Sequence, residues 1–140
     1  MTPNKAIEIV DRVKPNSYSE EDKLRWINEL DGMVKRLVFQ WDEAYLKEIE
    51  ALYKSDKTTE KEKEVYADIL KKAKPYSYPE DMDTNLLITE PFENVYPLYL
   101  EAQIDFHNRE YDHYNNSVMM FESQYTEFKK AYIREYSPRG

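Results

Sequence analysis

Neither glycine nor proline occurs between residues 98 and 137, so a long run of this chain carries no strong local helix breaker. Within it Tyr111, Tyr114, Val118, Phe121, Tyr125, Phe128 and Tyr132 recur at alternating spacings of three and four residues. That 3.5-residue period, sustained for about six turns, predicts a long helix with a continuous apolar seam. Six of the seven seam residues are Tyr or Phe, whose rings bury large areas while each tyrosine hydroxyl still needs a polar partner. The seam is read as a subunit or core packing surface, better suited to neighbouring helices or chains than to a small private core.

The rest of the composition agrees with helix. Gly32 and Gly140 are the only glycines, far below the usual share of about 7%. The expected fold is all-α: a small helical bundle in which the long C-terminal helix folds back as an antiparallel hairpin. One short strand or extended segment is allowed near 86–89. A length of 140 residues suits a single domain over 1–140 that buries roughly two thirds of the unfolded chain's surface. With no cysteine, disulfides, thiolate nucleophiles and cysteine metal sites are excluded. MTPNKAIEIV lacks the apolar core of a signal peptide, and no run approaches the roughly 18 apolar residues of a membrane span. A soluble protein made in the cytoplasm, with no membrane partner, is the expectation.

Net charge is −8, and its distribution is more informative than its size. Residues 1–40 are neutral, 41–74 carry −1, 75–123 carry −9 with Arg109 as their one cation, and 124–140 carry +2. A surface that grips duplex DNA needs clustered Lys and Arg; this chain has the reverse. The acidic stretch is either a solvated face or a surface that must not hold nucleic acid or that docks on a basic partner.

Helix starts can be read locally. Thr2 before Pro3 is a hydroxyl cap followed by a proline whose missing N–H costs nothing, and Ala6, Ile7, Val10 and Val13 then form an apolar face. Ser19 with Asp22 opens a second helix whose stripe is Leu24, Ile27, Leu30, Val34, Leu37 and Val38, with Trp26 and Met33 at its margins. Gly32 interrupts that stripe, through either a close helix crossing or simple tolerance. Residues 40–74 read as a charged helical arm. Trp41, Tyr45, Ile49 and Leu52 lie on one helix; after the break at 55–59, a second is capped at Thr58 or Thr59 and carries Val65, Tyr66, Ile69 and Leu70. Residues 75–85 read as an irregular linker. Pro91 opens a further helix with Tyr96, Tyr99, Leu100, Ile104 and Phe106 available for burial. Pro97 within it means that either Asn94 is the true cap or the helix kinks. A bend near 108–110 precedes the seam helix.

No catalytic constellation emerges. Glu110 and His113 have the Glu-x-x-His spacing that helical bundles use for iron or manganese, but a full site needs a second such pair, and His107 is preceded three residues earlier by Ile104. Phosphate loops and nucleophile elbows are absent. No catalytic, cofactor or metal residue is assigned, and the chain does not read as an enzyme. Asn115 and Asn116, mid-helix, are either solvent-facing or amides that bond a packed neighbour. Lys129, Lys130, Arg134 and Arg139 make the chain end basic, which either suits a helix C-terminus or forms a tail that docks on something acidic.

Three segments, KPNSYSEEDKLRWINELDGMV (14–34), YPEDMDTNLLITEPFENVYPLYLEAQIDFHNREYDHYNNSVMMF (78–121) and REYSPRG (134–140), together resemble the head–tail connector, or adaptor, proteins of tailed phages and prophages. The likeness is carried by Trp26-Ile27-x-Glu29-Leu30-Asp31-Gly32, Ile104-Asp105-Phe106, Tyr114-Asn115-Asn116 and Met120-Phe121, and it covers about half of the chain. It implies a structural virion protein of the neck between capsid and tail. Such a subunit would form a closed ring of about twelve copies beneath the portal protein, extend the DNA channel without sequence-specific binding, and offer a platform to a stopper or tail-completion protein. It further implies portal attachment through the C-terminal tail, 134–140, at Arg134, Tyr136 and Arg139. Residues 40–74 and Pro97 depart from the family pattern. The rival reading is a small intracellular helical interaction module, regulatory and non-enzymatic, using the same seam for a partner helix.

Overall fold

A computed structural model describes residues 1–136 of the chain. Six α-helices and one π-helical turn, Val34–Val38, make up its regular structure: α1 (Pro3–Val13), α2 (Glu20–Met33), α3 (Glu43–Lys54), α4 (Glu60–Lys72), α5 (Val95–His107) and α6 (Tyr111–Tyr136). There is no strand among the described residues. The all-α class is shown, and the segment near 86–89 is irregular backbone with Leu86 and Ile88 buried.

The chain forms two compact units, Met1–Asp31 with Tyr76–Gly140, and Gly32–Pro75. The arm therefore starts earlier than residue 40. In the larger unit, α1 begins where the cap chemistry places it, with the Lys5 amide donating to Thr2 Oγ1 at 3.2 Å. Ala6, Ile7 and Val10 are buried. Val13 is not; it is 64% exposed at the open end of the helix. At the start of α2 the Asp22 amide donates to Ser19 Oγ at 3.1 Å, and Leu24, Ile27 and Leu30 face inward.

Trp26 lies deeper than its marginal place on the stripe suggests, at 2% exposure. The reason is a tertiary partner: its ring stacks on His107 at 5.2 Å and meets the edge of Tyr18 at 5.3 Å. Tyr18 in turn donates to Asn108 Oδ1 at 2.8 Å, so the start of α2 is clipped to the end of α5.

Asn94 caps α5 by position, which puts Pro97 in the first turn, where its missing N–H breaks no intrahelical bond. Pro91 lies in the preceding turn, and no kink is needed. Phe106 is 47% exposed rather than buried. The reversal between α5 and α6 occupies 108–110, with Arg109 at φ 60° and the Glu110 amide returning to the Asp105 carbonyl at 2.9 Å. The two helices pack along one another, the expected hairpin.

Residues 75–85 are irregular, as expected, and are fastened to the helices. Asn28 holds Tyr76 from both sides, accepting from its amide at 2.8 Å and donating to its carbonyl at 3.0 Å. The Asn4 amide reaches the Met82 carbonyl at 2.9 Å, and Met82 is buried.

In the arm, Val34–Val38 forms a π-helical turn in which the Phe39 amide donates to the Val34 carbonyl. Each such i→i+5 bond shifts the helical register. Leu37 therefore leaves the stripe and stands 68% exposed, while Val34 stays buried. A Cβ on Gly32 would meet nothing closer than the Arg36 side chain at 3.4 Å, so this glycine reflects tolerance and no close crossing. Trp41 precedes α3, whose cap is Asp42. Thr59 and Glu62 form a reciprocal capping box at α4. Ile49 is buried, α4 buries no residue fully, and Val65 is 55% exposed.

Candidate assembly surface

The aromatic seam of α6 runs where its periodicity puts it, on the face toward α5. Phe121, Tyr125 and Phe128 are enclosed in the larger unit's own core. Phe121 meets Tyr99 at 5.1 Å and stacks on Tyr125 at 5.4 Å, and Phe128 meets Phe92 at 6.1 Å. Rings from α5 and its leading turn thus cover the middle of the seam, which is the neighbouring-helix alternative of the sequence reading. Val118, Tyr114 and Tyr132 are half-buried, and Tyr111 is exposed beside Phe106 at 6.3 Å. The Tyr125 hydroxyl is buried without a hydrogen-bond partner among the described residues, and burial raises its pKa.

The other predicted positions separate. Asn115 and Asn116 face solvent, so the solvent-facing alternative describes them and the packed-amide alternative does not. Arg134 is exposed on the last turn of α6, which ends at Tyr136. Arg139 lies outside the described residues.

Two buried carboxylates organise the larger unit. Asp31, with no exposed surface, accepts hydrogen bonds from Tyr96 Oη at 2.6 Å and Tyr76 Oη at 2.5 Å. The Ile88 amide donates to Tyr96 Oη at 2.8 Å, so the irregular segment before α5 is fastened to α2 through one side chain. Burial and the Asp31 charge both push the Tyr76 and Tyr96 hydroxyls far above the ordinary tyrosine value. At the margin of the same unit, burial followed by the Glu29 charge pushes Tyr99 up to about 12.

Asp105, equally buried, accepts from Ser117 Oγ of α6 and pairs with Lys14 at the end of α1. Lys14 also reaches Glu110 at 3.1 Å, and its bond to Asp105 raises the lysine pKa. One carboxylate thereby joins three helices. Asp105, Glu110 and His113 place ligand atoms within 4.8 Å of one another, which makes more of the Glu-x-x-His pair than its spacing alone does. The Lys14 ammonium, however, contacts two of those three groups and supplies the positive charge they call for, which opposes a dication in the same place.

Sequence reasoning names both carboxylates only within the resemblance and misses their burial. The signal available is a charged residue in register with apolar ones: Asp31 falls seven residues after Leu24, and Asp105 lies between Ile104 and Phe106.

Exposed apolar side chains of this unit include Val13, Phe106, Tyr111, Met119 and Met120. An open groove of about 680 Å³ is lined by Ile9 and Val13 of α1, Pro97, Leu98 and Glu101 of α5, and Met119 and Met120 of α6, among others. Burial, together with the Asp105 charge, raises the Glu101 pKa. The groove is apolar with an acidic member, so it is suited to an apolar or cationic occupant and to no anion. No helix among the described residues is long and apolar enough to cross a membrane. Comparison with protein-family models, with curated proteins and with solved structures gave no match.

Proposed function

We propose that this chain is a head–tail connector, a structural subunit of the phage neck that forms a ring on the portal and joins capsid to tail. The observation that carries the reading is where part of the resemblance falls; Phe106, Asn115, Asn116 and Met120, which also carry it, are exposed. Trp26, Ile27, Leu30 and Asp31 of α2, and Ile104 and Asp105 of α5, are all buried at the polar and aromatic junctions of one unit. They are the framework of a fold and not the lining of a catalytic cleft. The acidic excess of 75–123 suits a channel wall past which DNA slides without being gripped.

Since the middle of the aromatic seam is spent internally, ring contacts fall to the exposed apolar residues, among them Val13, Phe106, Tyr111 and Met120. The basic chain end, beginning at Arg134, is the portal-docking element. Deleting 134–140 is expected to abolish cosedimentation with the cognate portal while far-UV circular dichroism stays nearly unchanged. Undiminished cosedimentation of the truncated chain overturns tail docking.

The groove beside Val13 and Met120 favours a second reading, an interaction module that takes a partner's amphipathic helix. A chain that ignores the portal yet binds such a helix through this groove decides for it.

A further inference from the structure

The inward face of α6 is consumed by the core; the opposite face is not. On that outer face Met119 is 66% and Ile133 59% exposed, with Glu122, Thr126 and Lys130 exposed between them. At 3.6 residues per turn these five side chains share one stripe within an arc of about 80°. Counted from Thr126, the stripe has Met at −7, Glu at −4, Lys at +4 and Ile at +7. Turned end for end it sets apolar on apolar and acid on base. A shallow depression of about 350 Å³ along Met119, Glu122, Ser123, Thr126 and Glu127 accompanies its first half. Lys130 lies 3.7 Å from Glu127 with both groups 62% exposed, a pair too solvated to hold the lysine in place.

We propose that two copies of this chain pair through the outer face of α6, antiparallel, about a two-fold axis at Thr126. The symmetry makes each contact twice: Met119 against Ile133 of the second copy at both ends, and Glu122 against Lys130 of the second copy on either side of the axis. A uniformly basic partner helix fits this stripe poorly, because Lys130 and Arg134 then face like charge; a copy of the same face does not suffer that. The stripe is about 21 Å long, which puts the contact below the roughly 1,200 Å² of strong specific complexes. The dimer is accordingly weak, with a dissociation constant in the micromolar range or above. An isologous contact closes at two copies and builds no ring. It is the state of the unassembled chain and stands apart from the connector reading.

Sedimentation equilibrium of the full chain, from about 10 µM to about 1 mM, is expected to show a monomer–dimer equilibrium. Glu122→Lys alone and Lys130→Glu alone each replace two attractive pairs with two repulsive ones and weaken the dimer about thirtyfold. The double variant restores it to within about threefold. Both positions are solvent-exposed, so helicity is unchanged throughout. The chain has no cysteine of its own, so Thr126→Cys is expected to give a covalent dimer on mild oxidation, the axis bringing the two positions together. A chain that stays monomeric at the highest concentration overturns the proposal. So does a double variant as weak as the singles, or a Thr126→Cys chain that does not cross-link while the unmodified chain dimerises.

Discussion

In the larger unit the carboxylates of Asp31 and Asp105 are fully buried, and each ties together segments distant in sequence. In the arm, Glu43, Glu50 and Asp68 meet Lys47, Lys54 and Lys72 one turn away on the same helix, with every partner at least half exposed. The chemistry is the same in both places; solvent decides its consequence. A buried carboxylate stripped of its donors, or donors stripped of their carboxylate, leaves uncompensated polar groups that cost several kcal/mol. An exposed i,i+4 pair contributes a few tenths. One part of the chain therefore uses charge to specify a tertiary arrangement, and the other uses it within single helices, on their solvated faces.

The sharpest way to break this contrast is substitution on both sides of it. Asp31→Ala removes the buried acceptor of the Tyr76 and Tyr96 hydroxyls and is expected to cost about 3–5 kcal/mol in urea unfolding, whereas Lys54→Ala in the arm is expected to change nothing resolvable. Equal effects contradict the contrast. Phe121→Ala, which empties the centre of the aromatic core, is expected to cost about 3 kcal/mol. A change below about 1 kcal/mol means that the ring gains its cover only on assembly.

Alkaline pH sharpens the comparison without mutation. Tyr76, Tyr96, Tyr99 and Tyr125 of the larger unit all have raised pKa values. Their folded forms therefore hold protons that the unfolded chain has already released. That stability is complete below the ordinary tyrosine value of 10.0 and is lost as pH rises, for Tyr99 between 10.0 and about 12. Lys14, also raised, loses its contribution in the same direction, above the ordinary lysine value of 10.5. Thermal unfolding is expected to be flat from neutrality to about pH 9 and to fall steeply above 10. Tyrosinate absorbance of these residues should appear only with unfolding. Absorbance equivalent to all thirteen tyrosines reached before the helical signal falls contradicts the buried assignments. At the small end, Gly32→Ala is expected to stabilise the chain by about 0.5–1 kcal/mol, because the added methyl meets only a movable arginine; a loss instead would reveal a close approach there.

What the residues disclose by themselves follows from the range of each interaction. Thr2, Ser19 and Thr59 announce their helices because a cap is made within three residues. Asn94 resolves Pro97 by position alone, three residues ahead of it and with no side-chain cap bond. The periodicity of α6 gives its inward face correctly, yet periodicity does not say whose rings will cover it, and Phe92 and Tyr99 were the takers. Trp26, Asp31 and Asp105 depend on partners brought close by tertiary folding, so their burial is not a local property. Leu37 leaves its stripe because of a π-helical turn that no spacing rule anticipates. The exposed outer stripe of α6 is legible in the sequence only once its inner face has been assigned.

The connector reading is tested most directly by imaging the purified chain with its cognate portal by electron microscopy. A ring of this chain seated on the portal, with its basic chain end at the contact, is the predicted result. Portal particles that remain bare, with the chain staying in solution as monomer or dimer at saturating concentration, contradict it.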